Sequence, residues 1–251
     1  MTNLTIGVIV QARIGSTRLP GKVLLELDKN EKVLDILIER LKLSKKVNKI
    51  IIATVNHESN APIIDLAKQH KVSYFLGDEY DVLARYFNAA EAFNLDIIIR
   101  VTSDCPFVDP MIMDDMITFY LKHNYDYIRN VDETTNFSRG FDLEIFNFSI
   151  LKEVYLKAKS NAEREHVTYY IYTHPDDFTI HYYNVKSLKK YPNLRLTIDE
   201  TDDLIMCRTI YQKLKELGKG LKFSIFDIYN IIENNPKLLD INKHIVQKKV
   251  Q

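Results

Sequence analysis

Short apolar runs recur along the first half of the chain and alternate with stretches of helical periodicity. The apolar runs lie at Ile6–Val10, Ile50–Ala53, Ser73–Leu76 and Ile97–Val101. The helical patterns between them lie at Val33–Leu43, Ala61–His70 and Val82–Phe93. Near-continuous hydrophobicity is typical of strands that are buried on both faces. The pattern therefore predicts an α/β fold with a doubly wound, mostly parallel sheet and right-handed crossovers.

The second half is less regular and predicts an α+β subregion joined to the same domain. Its helical patterns lie at Pro110–His123, Ile150–Lys157, Ala162–Thr173, Asp202–Leu217 and Ser224–Asn234. Its strand-like runs lie at Tyr125–Ile128, Phe141–Phe146, Thr179–Val185 and Arg195–Ile198. No internal repeat or Gly/Ser-rich linker divides the chain. Residues 1–251 are therefore interpreted as one domain, in which residues 125–190, approximately, form the subregion.

Composition and charge narrow the functional classes. The 251 residues contain 34 Lys and Arg and 34 Asp and Glu, so the net charge is zero. This balance argues against a nucleic-acid coat or a polybasic membrane binder, though not against a local basic pocket. No apolar run approaches the roughly 20 residues of a membrane span, and the N-terminus lacks the basic region of a signal peptide. With Cys105 and Cys207 far apart in sequence, we expect a reduced, cytoplasmic protein without nucleic-acid or membrane partners.

The segment QARIGSTRLPGK, residues 11–22, follows the first predicted strand and carries three cationic side chains and two glycines. Doubly wound sheets bind ligands at the carboxyl ends of their strands, so this loop is predicted to line a binding crevice. Glycines let backbone amides approach an anion closely, and arginine and lysine add positive charge. The spacing is neither that of a Walker A loop nor that of a GxGxxG loop. A solvated basic turn is the alternative interpretation.

With its next two residues, this segment resembles the N-terminal signature of the sugar-acid cytidylyltransferases. Within that family it is most similar to the CMP-Kdo synthetase homologues of the spore coat polysaccharide biosynthesis protein F type. Five further segments resemble the family in the same order: GDEYDVLARYFNAA at 77–90, IRVTSDCPFVDP at 99–110, RGFDLEIF at 139–146, EREHVTYYI at 163–171 and LRLTIDETDDL at 194–204.

The resemblance implies a nucleotidyltransferase fold like that of the nucleotide-diphospho-sugar transferases. It also implies a reaction in which CTP and a sugar acid, or a related anionic small molecule, give a CMP derivative and pyrophosphate. We accordingly expect an Mg²⁺-dependent, homodimeric enzyme of surface polysaccharide or glycan biosynthesis. The acceptor region departs from that of the CMP-Kdo synthetases, so the identity of the acceptor stays open.

Nucleotidyl transfer requires positive charge around a triphosphate that carries about four negative charges. Arg13, Arg18 and Lys22 can supply that charge, and the amides of residues 14–17 can wrap the β- and γ-phosphates. By resemblance, Arg85 is assigned to the pyrimidine or a phosphate, with a surface arginine on an amphipathic helix as the alternative. The predicted nucleotide site comprises Ala12, Arg13, Gly15, Ser16, Thr17, Arg18, Lys22, Arg85 and Asp104. The predicted catalytic residues are Arg13, Lys22 and Asp104.

Two aspartates, Asp104 and Asp199, each follow a predicted strand. Magnesium prefers one or two carboxylates together with phosphate oxygens, so two acidic residues at strand ends could converge on one ion. The resemblance matches both positions to the metal-binding aspartates of the family. The alternative is that Asp104 caps a turn and Asp199 caps the following helix. Asp202 and Asp203 are expected in the first turn of that helix, where the helix dipole favours acidic residues.

Residues of two later segments are predicted to bind the acceptor. Asp142 and Glu144 follow Gly140 and are predicted to share one face of a strand, where they could take sugar hydroxyls. Arg164 and His166 are predicted to bind an acceptor carboxylate or phosphate. A nearby anion would raise the pKa of His166. A structural histidine is the alternative for His166.

Two other functional classes remain open from the sequence. A sugar transferase of similar fold would use a nucleotide-sugar donor, but it would need a second aspartate in the TSDCP segment and would not need the phosphate-wrapping loop. A non-catalytic scaffold would not need Lys22, Asp104 and Asp199 together. Cytidylyl transfer therefore stands as the favoured hypothesis.

Overall fold

Strands and helices alternate along residues 4–248, the part of the chain that the computed structural model describes. The strands are β1 Ile6–Gln11, β2 Glu26–Asp28, β3 Glu31–Lys32, β4 Lys49–Val55, β5 Ser73–Gly77, β6 Ile97–Thr102, β7 Tyr127–Arg129, β8 Glu144–Asn147 and β9 Ile180–Tyr182. The α-helices are α1 Val33–Leu41, α2 Ala61–Gln69, α3 Val82–Ala92, α4 Pro110–Lys122, α5 Phe148–Lys157, α6 Asn161–Glu165, α7 Tyr169–Thr173, α8 Thr201–Glu216 and α9 Ile225–Asn234. Short 3₁₀ helices lie at Lys22–Leu24, Glu58–Asn60 and Pro236–Asp240.

Within residues 4–248, seven strands form one mixed sheet in the order β5-β4-β1-β6-β8-β7-β9. The first four strands in this order are parallel, whereas β8 runs antiparallel to both β6 and β7. The chain builds outwards from β1 through β4 to β5 and then returns to place β6 on the other side of β1. Ligands of such sheets bind in the crevice beside this reversal, at the carboxyl ends of the strands. The predicted doubly wound, mostly parallel α/β fold is confirmed.

Both faces of the sheet are covered. Val8 and Val10 pack into the larger core cluster with residues of α1, α2, α4, α8 and α9, whereas Ile9 packs with α3 and α5 on the opposite face. Successive side chains of a strand point to opposite faces, so a strand that is buried on both sides must be apolar at every position. None of the helices within residues 4–248 combines the length and the apolar character that a membrane crossing requires.

The elements of the first half lie within about two residues of their predicted bounds. Local capping explains where the helices that flank the crevice begin. The Asp81 side chain accepts a hydrogen bond from the Ala84 amide at the start of α3. Asp109 accepts from the Met111 and Ile112 amides at the start of α4, and Pro110 occupies the first helical position. The hairpin of β2 and β3 was not predicted.

The second half departs further from the predicted elements. The predicted strand Arg195–Ile198 is wrong: among the described residues this segment makes one isolated bridge, from Arg195 to Arg139. The predicted strand Phe141–Phe146 begins only at Glu144. Even so, β7, β8 and β9, which come from the predicted subregion 125–190, extend the same sheet.

The predicted helix Ala162–Thr173 is two short helices, α6 and α7. The backbone leaves helical geometry at His166, where φ is −105° and ψ is 88°. Val167 then enters the core, and the Thr168 hydroxyl donates to Glu144 Oε2 at 2.7 Å. Val167 and Thr168 are neighbours in sequence, and a continuous helix would point their side chains in different directions. The break at His166 allows both tertiary contacts to form.

Candidate active site

Two loops meet at the carboxyl ends of β1 and β6. Residues 12–21 follow β1, and residues 103–109 follow β6. The first loop is curled tightly, because the Ser16 and Gly21 amides both donate to the Ile14 carbonyl, at 2.7 and 3.0 Å. Gly21 has a φ of +65°, a conformation that favours glycine, and it leads directly into the 3₁₀ helix that begins at Lys22.

The Lys22 ammonium lies between two carboxylates from distant parts of the chain. Its Nζ donates to Asp104 Oδ2 at 2.7 Å and to Asp199 Oδ1 at 2.8 Å. Arg18 Nη2 lies 3.0 Å from the same oxygen of Asp199. Burial alone would lower the pKa of Lys22, but the two aspartates raise it above its ordinary value. The fold therefore brings together the two aspartates and the lysine that the sequence singled out.

Asp199 is held by a second arginine that the sequence analysis missed. Arg195 Nη2 donates to Asp199 Oδ2 at 2.5 Å, and Arg195 Nε donates to Asp203 Oδ1 at 3.0 Å. Asp203 is fully buried in the first turn of α8 and also accepts from the Asp199 amide. Burial alone would raise the pKa of Asp199, but Lys22, Arg18 and Arg195 lower it. No local pattern marks Arg195, because it lies within an apolar run.

Asp104 and Asp199 are the candidate ligands of a divalent cation. Within residues 4–248 no group of three or more His, Cys, Asp or Glu side chains is arranged to hold a metal ion. Asp104 and Asp199 nevertheless converge on one point, since both contact the same ammonium nitrogen. Two carboxylates on one cation suit Mg²⁺ when phosphate and water complete the shell. The residues therefore fit an ion that arrives with a nucleotide, and their metal role stays a prediction.

A cavity of about 300 Å³, here called the loop cavity, lies between residues 11–22 and the start of α3. The predicted nucleotide and metal residues that line it are Ala12, Arg13, Ser16, Thr17, Arg18, Lys22, Arg85, Asp104 and Asp199, and the predicted acceptor residue His166 lines it as well. Gly15 is not among its lining residues. The Ile14 amide donates to Asn60 Oδ1 and the Ser16 amide donates to a loop carbonyl, so of the four predicted phosphate-wrapping amides these two are already engaged.

Arg85 is buried, with 2% of its surface exposed, so the surface-arginine alternative is wrong. Its Nη1 donates to the Asp78 carbonyl at 2.7 Å, while its buried Nε has no partner among the described residues. Gly77 makes room for this side chain, because an added Cβ would lie 2.9 Å from Arg85 Cγ. Burial lowers the pKa of Arg85.

A second cavity of about 690 Å³, here called the strand cavity, opens over β6, β7 and β8. It shares five lining residues with the loop cavity: Arg18, Thr102, Asp104, His166 and Asp199. The two cavities therefore meet at the pair of aspartates. Two reactants bound one in each cavity would come together at these carboxylates.

Three of the predicted acceptor residues, Asp142, Glu144 and His166, line the strand cavity. The prediction that both carboxylates share one strand face is wrong, because β8 begins only at Glu144. Glu144 Oε1 accepts from Arg100 Nη1 at 2.7 Å, and Asp142 Oδ2 accepts from the Gly140 amide at 2.7 Å. Both carboxylates are therefore already engaged within the protein.

The other two predicted acceptor residues, Gly140 and Arg164, are not among the lining residues of either cavity. Gly140 has a φ of +104°, and an added Cβ would lie 2.5 Å from the Leu196 carbonyl carbon, so its position is set by backbone packing. Arg164 Nε donates to Asp81 Oδ2 at 2.9 Å, and its guanidinium lies 4.7 Å from the centroid of the Tyr155 ring.

The predicted convergence of Arg164 and His166 is therefore wrong, because α6 directs Arg164 to the start of α3. His166 lines both cavities. Its pKa is lowered, because burial disfavours the charged imidazolium. The predicted rise of this pKa depends on a bound acceptor anion and stays a prediction.

Comparisons with known proteins match this geometry. The chain matches a family model described as cytidylyltransferase over residues 7–235. It is 34% identical over 237 residues to the spore coat polysaccharide biosynthesis protein SpsF of Bacillus subtilis, covering 91% of this chain and 94% of that protein. It is also 25% identical over 244 residues to a 3-deoxy-manno-octulosonate cytidylyltransferase of Thermodesulfovibrio yellowstonii, covering 86% of this chain and 88% of that protein.

A solved structure of a cytidylyltransferase from Leptospira borgpetersenii superposes on nearly the whole chain. The TM-score is 0.88 at 30% sequence identity, and the match covers 98% of this chain and 100% of that one. The likeness therefore extends through the loops that build both cavities.

Proposed function

We propose that this chain, which belongs to the cytidylyltransferase family, activates a sugar acid by transferring the cytidylyl group of CTP to it. The observation that carries the proposal is the meeting of two cavities at Asp104 and Asp199, with the cationic residues of the β1 loop on one side. The names of its relatives support a place in surface polysaccharide biosynthesis and an anionic sugar as acceptor.

CTP would occupy the loop cavity. Arg13 and Arg18 are partly exposed there and can neutralise the triphosphate. Arg13 presents a planar fork that can hold a phosphate through two hydrogen bonds. Lys22 would exchange its aspartate partners for phosphate oxygens, and its charge would then stabilise the pyrophosphate as it leaves.

The acceptor would occupy the strand cavity, with one of its hydroxyl groups towards the aspartates. That hydroxyl loses its proton to solvent as its oxygen attacks the α-phosphorus, the bond from this phosphorus to the bridging oxygen of the β-phosphate breaks, and pyrophosphate carries away the electron pair. Holding both reactants at the junction of the cavities converts the encounter into an intramolecular reaction.

We further propose that Asp104 and Asp199 hold an Mg²⁺ ion when the nucleotide is bound. When bound, the ion supplies positive charge that polarises phosphate oxygens. Arg195 and Asp203 keep Asp199 oriented, because Arg195 contacts both carboxylates and the Asp203 carboxylate accepts from the Asp199 amide. Arg18, which belongs to the proposed phosphate-binding loop, contacts the other carboxylate oxygen of Asp199 and so connects the two aspartates to that loop.

We also propose a homodimer. One supporting observation is that β9 lies at the edge of the sheet. The other is a half-exposed aromatic stack beside it, in which the ring centroids of Phe119 and Tyr125 lie 4.7 and 4.8 Å from that of His181. Sedimentation equilibrium measures the mass directly. A mass near the 29.4 kDa of one chain would contradict the dimer.

The function is tested by measuring pyrophosphate release from CTP, UTP, ATP and GTP with magnesium and a panel of sugar acids. We expect release with CTP that depends on both the acid and the metal. Transfer from a nucleotide sugar without pyrophosphate release would contradict the proposal, and so would a protein that fails to bind CTP in calorimetric titration.

A further inference from the structure

The cations that line the strand cavity differ in whether they already have a carboxylate partner. Arg100 Nη1 lies 2.7 Å from Glu144, Arg139 Nη1 lies 3.2 Å from Asp142, and Arg18 Nη2 lies 3.0 Å from Asp199. Arg129 and Lys248 also line this cavity. Within residues 4–248 neither of them has a carboxylate oxygen within 4.0 Å of its side-chain nitrogens, and of the two only Arg129 stands on a strand of the sheet.

The sheet explains this difference. Arg100 of β6, Glu144 of β8 and Arg129 of β7 stand in one row, each opposite the next in the strand register. One carboxylate thus stands between two guanidinium groups. Its Oε1 accepts from Arg100 and its Oε2 accepts from the Thr168 hydroxyl, both at 2.7 Å. Because Glu144 pairs with Arg100, these three side chains together carry one net positive charge, which lies at Arg129 on the cavity wall.

The Arg129 guanidinium is held in a defined orientation. Its Nε donates to the Val131 carbonyl at 2.9 Å, and its Cζ lies 5.3 Å from the centroid of the Tyr172 ring. No hydrogen bond within the described part of the chain involves its Nη1 or Nη2. An arginine fixed through Nε presents these two nitrogens together, which matches the two oxygens of a carboxylate.

We propose that Arg129 binds the carboxylate of the acceptor through Nη1 and Nη2 and so selects sugar acids over neutral sugars. This inference rests on the proposed function, because it assigns one residue to the acceptor of that reaction. It replaces Arg164, which is paired with Asp81 and does not line the cavity. Arg129 and the two aspartates line the same cavity. A sugar acid held by its carboxylate at Arg129 therefore lies in the space that opens onto the aspartates.

The experiment compares Arg129→Gln and Arg129→Lys with two other arginine variants. Arg164→Gln tests the rival residue. Arg208→Gln is the matched control, because Arg208 also donates through Nε to a carbonyl, that of Glu26, and lies outside both cavities. Pyrophosphate release is measured with CTP and 3-deoxy-manno-octulosonate or N-acetylneuraminate, and with the carboxamide of each acid. CTP binding is measured separately by calorimetry.

We expect Arg129→Gln to raise the KM for the acid by about 10- to 100-fold, the range of a charge-assisted hydrogen bond. The KM for CTP and the calorimetric CTP affinity should stay at the wild-type level. Arg129→Lys should give an intermediate KM, because it keeps the charge without the paired nitrogens. The wild type should use the carboxamides poorly, and Arg129→Gln should no longer distinguish them from the acids.

Several outcomes would overturn the inference while leaving cytidylyl transfer intact. The first is a wild-type enzyme that uses only neutral or phosphorylated sugars, or that uses neither of the two acids. The second is a rise of the acceptor KM in Arg164→Gln instead of in Arg129→Gln. The third is an Arg129→Gln variant that still prefers the acid to its carboxamide. If Arg129→Gln does not fold, an unchanged KM in Arg129→Lys overturns it. Failure of the wild type to bind CTP would instead count against the proposed function.

Discussion

The loop cavity and the strand cavity are both lined with charge, but their charged groups stand in different relations to the fold. In the loop cavity Arg13 and Arg18 project from an irregular loop, with 40% and 27% of their side chains exposed. In the strand cavity Arg100 and Glu144 belong to neighbouring strands, pair at 2.7 Å and are only 15% and 12% exposed. The loop arginines, although they lie 3.5 and 3.0 Å from Glu79 and Asp199, stay partly exposed to a ligand, whereas Arg100 and Glu144 are buried against each other.

This difference separates two roles of charged residues in one crevice, which are ligand binding in the loop cavity and stabilisation of the fold in the strand cavity. Charges on a loop can be presented to phosphate at little cost to folding, because water solvates them until the ligand arrives. Charges in the middle of a sheet lose their water during folding and must be paired. Substitutions in the loop cavity should therefore reduce activity, and substitutions of paired residues in the strand cavity should reduce stability.

The largest expected effect is on catalysis at the junction of the cavities. Asp104→Asn should lower kcat with CTP and magnesium by about 10²–10³-fold, the range seen when one transition-state contact is removed. The amide still fills the space beside Lys22 but no longer offers a charged ligand. Steady-state pyrophosphate release measures kcat, and thermal unfolding should give nearly the wild-type Tm.

The matched control for Asp104→Asn is Asp202→Asn, the same change in the first turn of α8, where the side chain is 41% exposed and contacts His244. Wild-type turnover is expected for this control. Turnover near the wild-type level in Asp104→Asn would remove Asp104 from the proposed metal site.

The next effect should be on stability. Glu144→Gln leaves Arg100 buried without its carboxylate, which should lower the free energy of unfolding by about 3 kcal/mol. Chemical denaturation measures this difference. Glu153→Gln serves as the control, because the pair of Glu153 with Lys157 on α5 is more than 40% exposed on both sides. It should cost less than about 0.5 kcal/mol. Equal costs for the two variants would contradict the prediction that the buried pair of the strand cavity contributes more to stability than an exposed pair.

Glu144 should also make the stability of the protein depend on pH. Burial alone would raise the pKa of Glu144, but Arg100 and Arg129 lower it below its ordinary value of 4.5. A carboxyl whose folded pKa is lowered stabilises the protein above its unfolded-state pKa and loses that contribution as the pH falls through the folded value. The free energy of unfolding should therefore fall below about pH 4.5, and less steeply in Glu144→Gln.

The smallest effect concerns the Lys22 ammonium, which lies where a cation between the two aspartates would lie. Lys22→Met should bind Mn²⁺ about tenfold more tightly than the wild type in the absence of nucleotide, a change of about 1.4 kcal/mol. The same variant should bind CTP more weakly, because it lacks a phosphate contact. Calorimetric titration measures both affinities.

Lys29→Met is the control for Lys22→Met, since Lys29 is exposed in the β2–β3 turn. It should leave both affinities unchanged. Weaker Mn²⁺ binding in Lys22→Met than in the wild type would mean that the lysine does not compete for the aspartates.

The sequence by itself determined the parallel half of the fold and the loop cavity. Short, near-continuous apolar runs favour strands that are buried on both faces, and the turns that follow parallel strands lie at one edge of the sheet. Once β1 and β6 are neighbours, the loop that contains Lys22 and the loop that contains Asp104 face each other. Most residues that line this cavity could be predicted because they are contiguous with the strand ends that carry them.

Only the tertiary structure decided the strand cavity and the partners of the charged residues around it. Arg195 reaches Asp199 from a segment that looked like a strand, Arg164 turns away to Asp81, and Glu144 pairs with Arg100, 44 residues away. Each of these outcomes depends on which partner a buried charge finds after the strands are ordered. A charged side chain that loses its water on folding needs a partner of opposite charge nearby. For Arg164 and Glu144 that partner comes from a distant part of the chain, so the local sequence does not identify it.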